Sequence, residues 1–269
     1  MSEQPPVLMC DSATKLERSH RGAIVVCGSH GGVYPAYLAA EAGLRAVILN
    51  DAGVGLDQAG IGGLDYCQAL GMACATIGHA SARIGDAEDM RARGLISHAN
   101  PAAADLGIEA GTPTGEALAM LARAPVWHGE PAPYREGRQV VLDQPGKPRV
   151  VCIDSASMVE PADAGQIVIT GSHGGLVASR PDLTLRVDAL LALFNDAGVG
   201  IDEAGVARLP PLDQRGVAAA TVAAMTARIG DGLSTYQDGV VSRVNDAARR
   251  LGARPGTRAQ DFVAGLLDA

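Results

Sequence analysis

The sequence predicts an α/β protein built as a tandem duplication of two homologous lobes. Each lobe is a mostly parallel sheet flanked by helices, and the two are expected to be pseudo-two-fold related. Three observations carry this. Polar motifs recur in the same order: GSHGG at 28–32 and 171–175, NDAGVG at 50–55 and 195–200, ARIGD at 82–86 and 227–231. The first pair is offset by 143 residues and the others by 145, so the copies run alongside each other over most of the chain. Short, wholly apolar runs alternate with helix-like segments, which is how parallel strands buried on both faces read. The expected units are a first repeat at 1–123, a connector at 124–147 and a second repeat at 148–269, each repeat of ordinary domain size.

In chain order, strands are expected at 7–10, 23–28, 45–50 and 73–78, with helices at 33–42, 57–70, 99–106 and 114–123. The second copy gives strands at 150–153, 166–171, 189–195 and 217–222. ALLALFN at 189–195 could be helical by periodicity alone, but it aligns with RAVILN at 45–50 and is therefore read as a strand. The connector has no counterpart in either copy. It holds the only Trp, Trp127, with His128, several prolines and a QPGK turn between two β-like runs, which points to a hairpin and a lobe-packing role.

Composition narrows the function. A net charge of −8 and a pI near 5.2 argue against nucleic acid or an anionic membrane as partner. With no apolar run long enough to span a bilayer and no signal peptide, the chain reads as cytoplasmic, with homo-oligomerisation left open. Five cysteines, odd in number and without CxxC spacing, read as reduced and buried.

In parallel sheets, ligands bind where strand C-termini feed their loops. Each copy delivers polar groups to four such ends. These are Asp11 and Asp154; Ser29-His30 and Ser172-His173, followed by Gly31-Gly32 and Gly174-Gly175; Asn50-Asp51 and Asn195-Asp196; and Arg83 and Arg228. Of the 26 positions in 7–32 set against 150–175, 13 are identical, Asp11/Asp154, Ser29/Ser172 and His30/His173 among them. A duplicated scaffold needs only its apolar pattern, so matched polar residues suggest shared chemistry. His30 and His173 are the expected acid–base groups, oriented by Asp51 and Asp196, with Ser29 or Ser172 as a possible nucleophile. Arg83, Arg228 and the glycine N–H groups are expected to hold an anion, assisted by Asn50, Asn195, Asp11 and Asp154. Asp11, His30, Asp51 and His79 could surround a metal ion, but His79 aligns with Ala224, so no metal and no cofactor are expected. GSHGG is neither a dinucleotide fingerprint nor a P-loop.

AIVVCGSHGG followed by RAVILNDAGVG resembles the caspase-like cysteine peptidases of the CHAT branch, in which one strand ends in His-Gly and the next before the catalytic cysteine. The resemblance covers about 60 residues of each copy. It implies a three-layer α/β lobe in which His30 and His173 match the catalytic histidine. Gly53 and Gly198 stand where the cysteine would be, so peptidase activity is not implied.

The function expected from the sequence is therefore an enzyme on a small anionic metabolite, cofactor-independent and hydrolytic. The alternatives are a non-catalytic two-lobed binding or scaffold protein, and an isomerase or lyase working by proton abstraction. Whether the two residue sets make one site or two is open.

Overall fold

The computed structural model describes residues 4–268. Strands β1 (Val7–Cys10), β2 (Ile24–His30), β3 (Ala46–Asn50) and β4 (Ala73–Ile77) lie side by side in chain order, all parallel. β5 (Ile96–Ala99) closes the sheet antiparallel to β4. In the second lobe, β7 (Val150–Ile153), β8 (Ile167–His173), β9 (Leu191–Asn195) and β10 (Ala218–Val222) form the matching parallel set. Its antiparallel edges are β6 (Arg138–Leu142) beside β7 and β11 (Val241–Val244) beside β10. The α/β class with two mostly parallel sheets flanked by helices, read from the sequence, is the one observed, and 189–195 is a strand.

Alternation along β2 shows why the sheet is covered on both faces. Ile24 and Val26 enter one core with Met90 and Leu121, whereas Val25 and Cys27 enter another with Ala36 and Leu64. Helices α1 (Val33–Glu41) and α2 (Gly63–Leu70) serve the second of these cores. Helices α3 (Ala87–Arg93), α4 (Pro101–Ala104) and α5 (Thr114–Leu121) serve the first. In the other lobe α6 (Leu209–Gln214) covers one face. The opposite face is covered by α7 (Gly232–Gln237), α8 (Asp246–Arg250) and α9 (Ala259–Asp268). No helix of the described residues is long and apolar enough to cross a membrane.

Three departures from the sequence reading bear on the site. The helix expected at 57–70 begins only at Gly63, because Asp57 and Gln58 have left-handed φ of 53° and 57°. Helices α3 and α7, not expected, start at Asp86 and Asp231, whose carboxylates accept the N–H of Asp89 at 3.0 Å and of Ser234 at 2.8 Å. The two GG pairs also diverge. Gly32 caps α1, where Pro35 falls in the first turn and its missing N–H costs nothing. After Gly175 no α-helix forms before α6: Pro181 would fall inside a helix begun there, and Ala178 and Ser179 take positive φ. The chain instead makes a loop over 176–190. The connector's RQVVL pairs with β7, so the expected hairpin is present, and Trp127 packs against the first lobe's core. All five cysteines are free.

Candidate functional site

The strand-end loops divide into two sets with different jobs. The third and fourth ends join the lobes to each other. Ala52, Gly53, Val54 and Gly55 have φ of 49°, 74°, 62° and 73°, and Ala197 to Gly200 repeat this with 49°, 73°, 63° and 72°. Each non-glycine residue so placed costs about 1–2 kcal/mol. The turns are held by the residues before them. Asn50 Oδ1 accepts the Ala52 N–H at 2.9 Å and Asp51 Oδ1 the Gly53 N–H at 3.1 Å, and Asn195 and Asp196 do the same at 2.9 and 3.0 Å. The two left-handed turns then meet at Gly53 and Gly198. Leu56 N–H donates to the Ala224 carbonyl and Ile201 N–H to the His79 carbonyl, both at 2.9 Å.

This corrects several expected roles. Asn50 and Asn195 are fully buried in the turns, away from any ligand space. Asp51 does not orient His30. Its Oδ1 lies 2.8 Å from His79 Nδ1, and Asp196 Oδ1 accepts the Ala224 N–H at 2.9 Å. Burial pushes the Asp51 carboxyl up, but the bonds from His79 outweigh it and leave the carboxyl below its ordinary value. His79 is correspondingly raised by its bond to Asp51. Arg83 and Arg228, expected to hold an anion, are paired with carboxylates and lie outside the cavity that the two lobes share. Arg83 pairs with Asp86 at 3.3 Å and Asp89 at 2.9 Å, and reaches Asp202 of the second lobe at 3.3 Å. Arg228 pairs with Asp231 at 3.2 Å and reaches Asp57 of the first lobe at 3.1 Å. Both guanidinium groups are committed to carboxylates before any substrate arrives.

The first and second strand ends of both lobes, by contrast, line one shared cavity of about 280 Å³. It is bordered by Ser29, His30, Ser172 and His173, by Ser12 and Asp154-Ser155, by Tyr34 of α1, and by the 176–190 loop. The two histidines occupy one space. Each sits against a glycine of the opposite lobe: a methyl at Gly230 would lie 3.2 Å from His30 Cε1, and one at Gly85 3.5 Å from His173 Cε1.

Each imidazole is fixed in the same way. Gly32 N–H donates to His30 Nδ1 at 3.2 Å, and Gly175 N–H to His173 Nδ1 at 3.1 Å. Accepting at Nδ1 puts the neutral ring's proton on Nε2. Burial drives His30 down to about 4. His173 falls well below its ordinary value through burial and the nearby Arg208 and His30 charges. Neither Nε2 is sealed in the protein without a partner. Both rings border the cavity, and at neutral pH each carries its single ring proton on Nε2.

The glycine N–H groups expected to cradle an anion are already used. Gly31 N–H donates to the Asn50 carbonyl at 2.6 Å and Gly174 N–H to the Asn195 carbonyl at 2.8 Å, while Gly32 and Gly175 serve the histidines. Their lack of a side chain has another cause: a methyl at Gly31 would lie 2.6 Å from the Gly60 carbonyl oxygen. Ser29 and Ser172 accept the N–H of Ala13 and Ala156, each at 2.9 Å, and no histidine nitrogen bonds them. Asp11 accepts the Ala87 N–H at 2.9 Å at the start of α3 and lies outside the cavity lining. Asp154 lines the cavity and accepts the N–H groups of Gly232 at 3.1 Å and Gly137 at 2.5 Å. Burial nevertheless raises its carboxyl.

Among the lining residues not singled out from the sequence, two are strongly shifted ionisable groups. Glu136, from the connector, is raised to about 7 by burial and by the Asp154 charge, against bonds from Tyr34 and Ser155. Arg208 is 4% exposed, covers the Phe194 ring at 4.8 Å, and is lowered to about 10 by burial. Neither has a counterpart: Glu136 lies in the unrepeated connector and Arg208 aligns with Gly63. The available signal was a carboxylate two residues from Tyr134 in a segment otherwise read as packing.

Among the described residues, no group of three or more His, Cys, Asp or Glu is placed to hold a metal ion. No protein-family model matches the chain, and neither a curated protein nor a solved structure does.

Proposed function

We propose that the chain is an enzyme that moves a proton on a small carbonyl-bearing metabolite in the shared cavity, an isomerase or lyase in class. The observation that carries this is the pair of neutral imidazoles in one space, each with Nδ1 occupied and Nε2–H free. Such a ring is a poor base, because its acceptor nitrogen is spent on a glycine N–H. It is a good donor to a carbonyl or enolate oxygen, and two donors fixed by folding need no reorganisation when charge develops. The acid–base work then falls to Glu136. A carboxyl near 7 is poised both to take and to return a proton at neutral pH. Ser29 and Ser172 have no base beside them, which argues against a covalent acyl route. Hydrolysis by a water activated at Glu136 is the second reading, supported by the same carboxyl. The reciprocal contacts between the lobes support reading them as a pseudo-two-fold pair enclosing one composite site.

The test is a panel of 2-oxo and 2-hydroxy acids incubated in deuterated water and followed by proton NMR. Glu136→Gln is expected to lower turnover by about 10²–10⁴-fold. His30→Gln and His173→Gln are expected to lower it by about 10²-fold each. Wild-type rates in Glu136→Gln would refute the reading. Binding without exchange across the panel would favour the non-catalytic two-lobed binding protein, including the thiol-less caspase-like scaffold. In that resemblance the cysteine positions, Gly53 and Gly198, lie against each other at the junction of the lobes.

A further inference from the structure

We infer that Arg208 is the anchor of an anion subsite in this cavity, one that takes a carboxylate or phosphate group of the ligand. The inference rests on reading the cavity as the ligand site and is independent of the proton-transfer chemistry. A guanidinium has five N–H donors. In Arg208, Nε–H and one Nη2–H go to the Gly175 carbonyl at 3.2 and 3.0 Å, and one Nη1–H goes to the Thr184 carbonyl at 2.9 Å. Two donors are left over. The three bonds end on two neutral carbonyls, and no described carboxylate bonds the group. A buried cation without a counter-ion is unfavourable, and an anion bound at its free donors would relieve that cost.

Its setting matches that use. Phe194 covers one face of the guanidinium, so the remaining donors act from its edge. Gly175 links the two groups, its N–H bonding His173 Nδ1 and its carbonyl bonding Arg208, so an anion held by Arg208 would lie beside the His173 ring. The loop that Arg208 ties through Thr184 also carries Arg186, an exposed second cation on the cavity lining. That loop exists because no helix follows Gly175, and the first lobe has Gly63 where the second has Arg208. The subsite is therefore single, and it belongs to the second lobe. It takes the role the sequence gave to Arg83 and Arg228.

Isothermal titration of the full chain with inorganic phosphate, and separately with malonate, at constant ionic strength tests this. At least one is expected to bind one to one, and which of them binds distinguishes a phosphate ligand from a carboxylate ligand. Arg208→Lys keeps the charge but loses the fork, and is expected to weaken binding about tenfold. Arg186→Ala is expected to weaken it about threefold. If Arg208→Lys fails to fold, the wild-type protein still answers: the imidazole nitrogen-15 resonances of His173 should move on anion addition and those of His79 should not. Binding of neither anion, equal affinity in folded Arg208→Lys, or an unmoved His173 with anion bound would each overturn the inference. Anion binding without turnover on the metabolite panel would sink the proton-transfer reading and leave the subsite standing.

Discussion

Gly53 and Gly198 meet backbone to backbone where the two lobes join. A methyl on Gly53 would lie 2.8 Å from the Gly198 Cα, and one on Gly198 2.9 Å from the Gly53 Cα. Both have left-handed φ, so a side chain there is strained as well as obstructed. Gly53→Val is expected to cost about 3 kcal/mol, combining backbone strain with overpacking. Gly22 provides the control, since it has φ of 77° and open space around it. Gly22→Ala should cost only about 1 kcal/mol. Urea unfolding of the two variants compares them directly, and equal losses would mean the contact between lobes adds nothing.

Arg83 and Arg228 hold that junction through Asp202 and Asp57. Their side chains are 39% and 40% exposed, so solvent screens the pairs. Each single Arg→Ala is expected to cost about 0.5–1 kcal/mol, and a double-mutant cycle with Asp202→Asn should return a coupling of the same size. Anion affinity should not change. A tenfold loss of phosphate binding in Arg83→Ala would restore the role first read from the sequence.

Acid should loosen the protein through the histidines of the cavity. His30 titrates near 6.5 unfolded and about 4 folded, so the unfolded chain binds the extra proton first. Stability from this group is complete above about 6.5 and falls as pH drops toward 4, by on the order of 2 kcal/mol given that the ring borders an open cavity. His173 acts in the same direction. Urea midpoints between pH 4 and 7 measure this, and His30→Gln should flatten the slope.

The Asp51–His79 pair behaves differently. His79 is raised, so its contribution is complete below 6.5 and is lost as pH rises through its folded value. Asp51 is lowered, so its contribution is complete above 3.8 and is lost as pH falls through its folded value. The pair is therefore strongest between about 4 and 6.5. His79→Gln should remove the alkaline part of the stability profile and leave the acid part produced by His30.

Glu136 and Asp154 share one wall, and the Asp154 charge helps hold Glu136 protonated. Asp154→Asn should bring the Glu136 titration down from about 7 toward the ordinary carboxylate range. Carbon-13 NMR of labelled glutamate reports it. An unchanged midpoint would assign the whole shift to burial.

The sequence by itself determined the eight parallel strands and the loops that follow them, because alternation and strand-end polarity are local properties; the antiparallel edges β5 and β11 came only with the structure. It also marked the matched polar residues, and there the inference from repetition stopped. Asn50, Asp51, Arg83 and their counterparts all lie at or beside the junction, where each lobe contacts the other. Only the tertiary structure decided their partners: Arg83 finds Asp202 across 119 positions, and Asp51 finds His79 rather than His30. The cavity, in contrast, adds to the matched Asp154 two ionisable residues that occur once. Glu136 comes from the connector, and Arg208 stands where the first lobe has Gly63. A ligand without two-fold symmetry needs an uneven lining, so comparing the two copies could locate His30 and His173 but not the groups that distinguish one end of the ligand from the other.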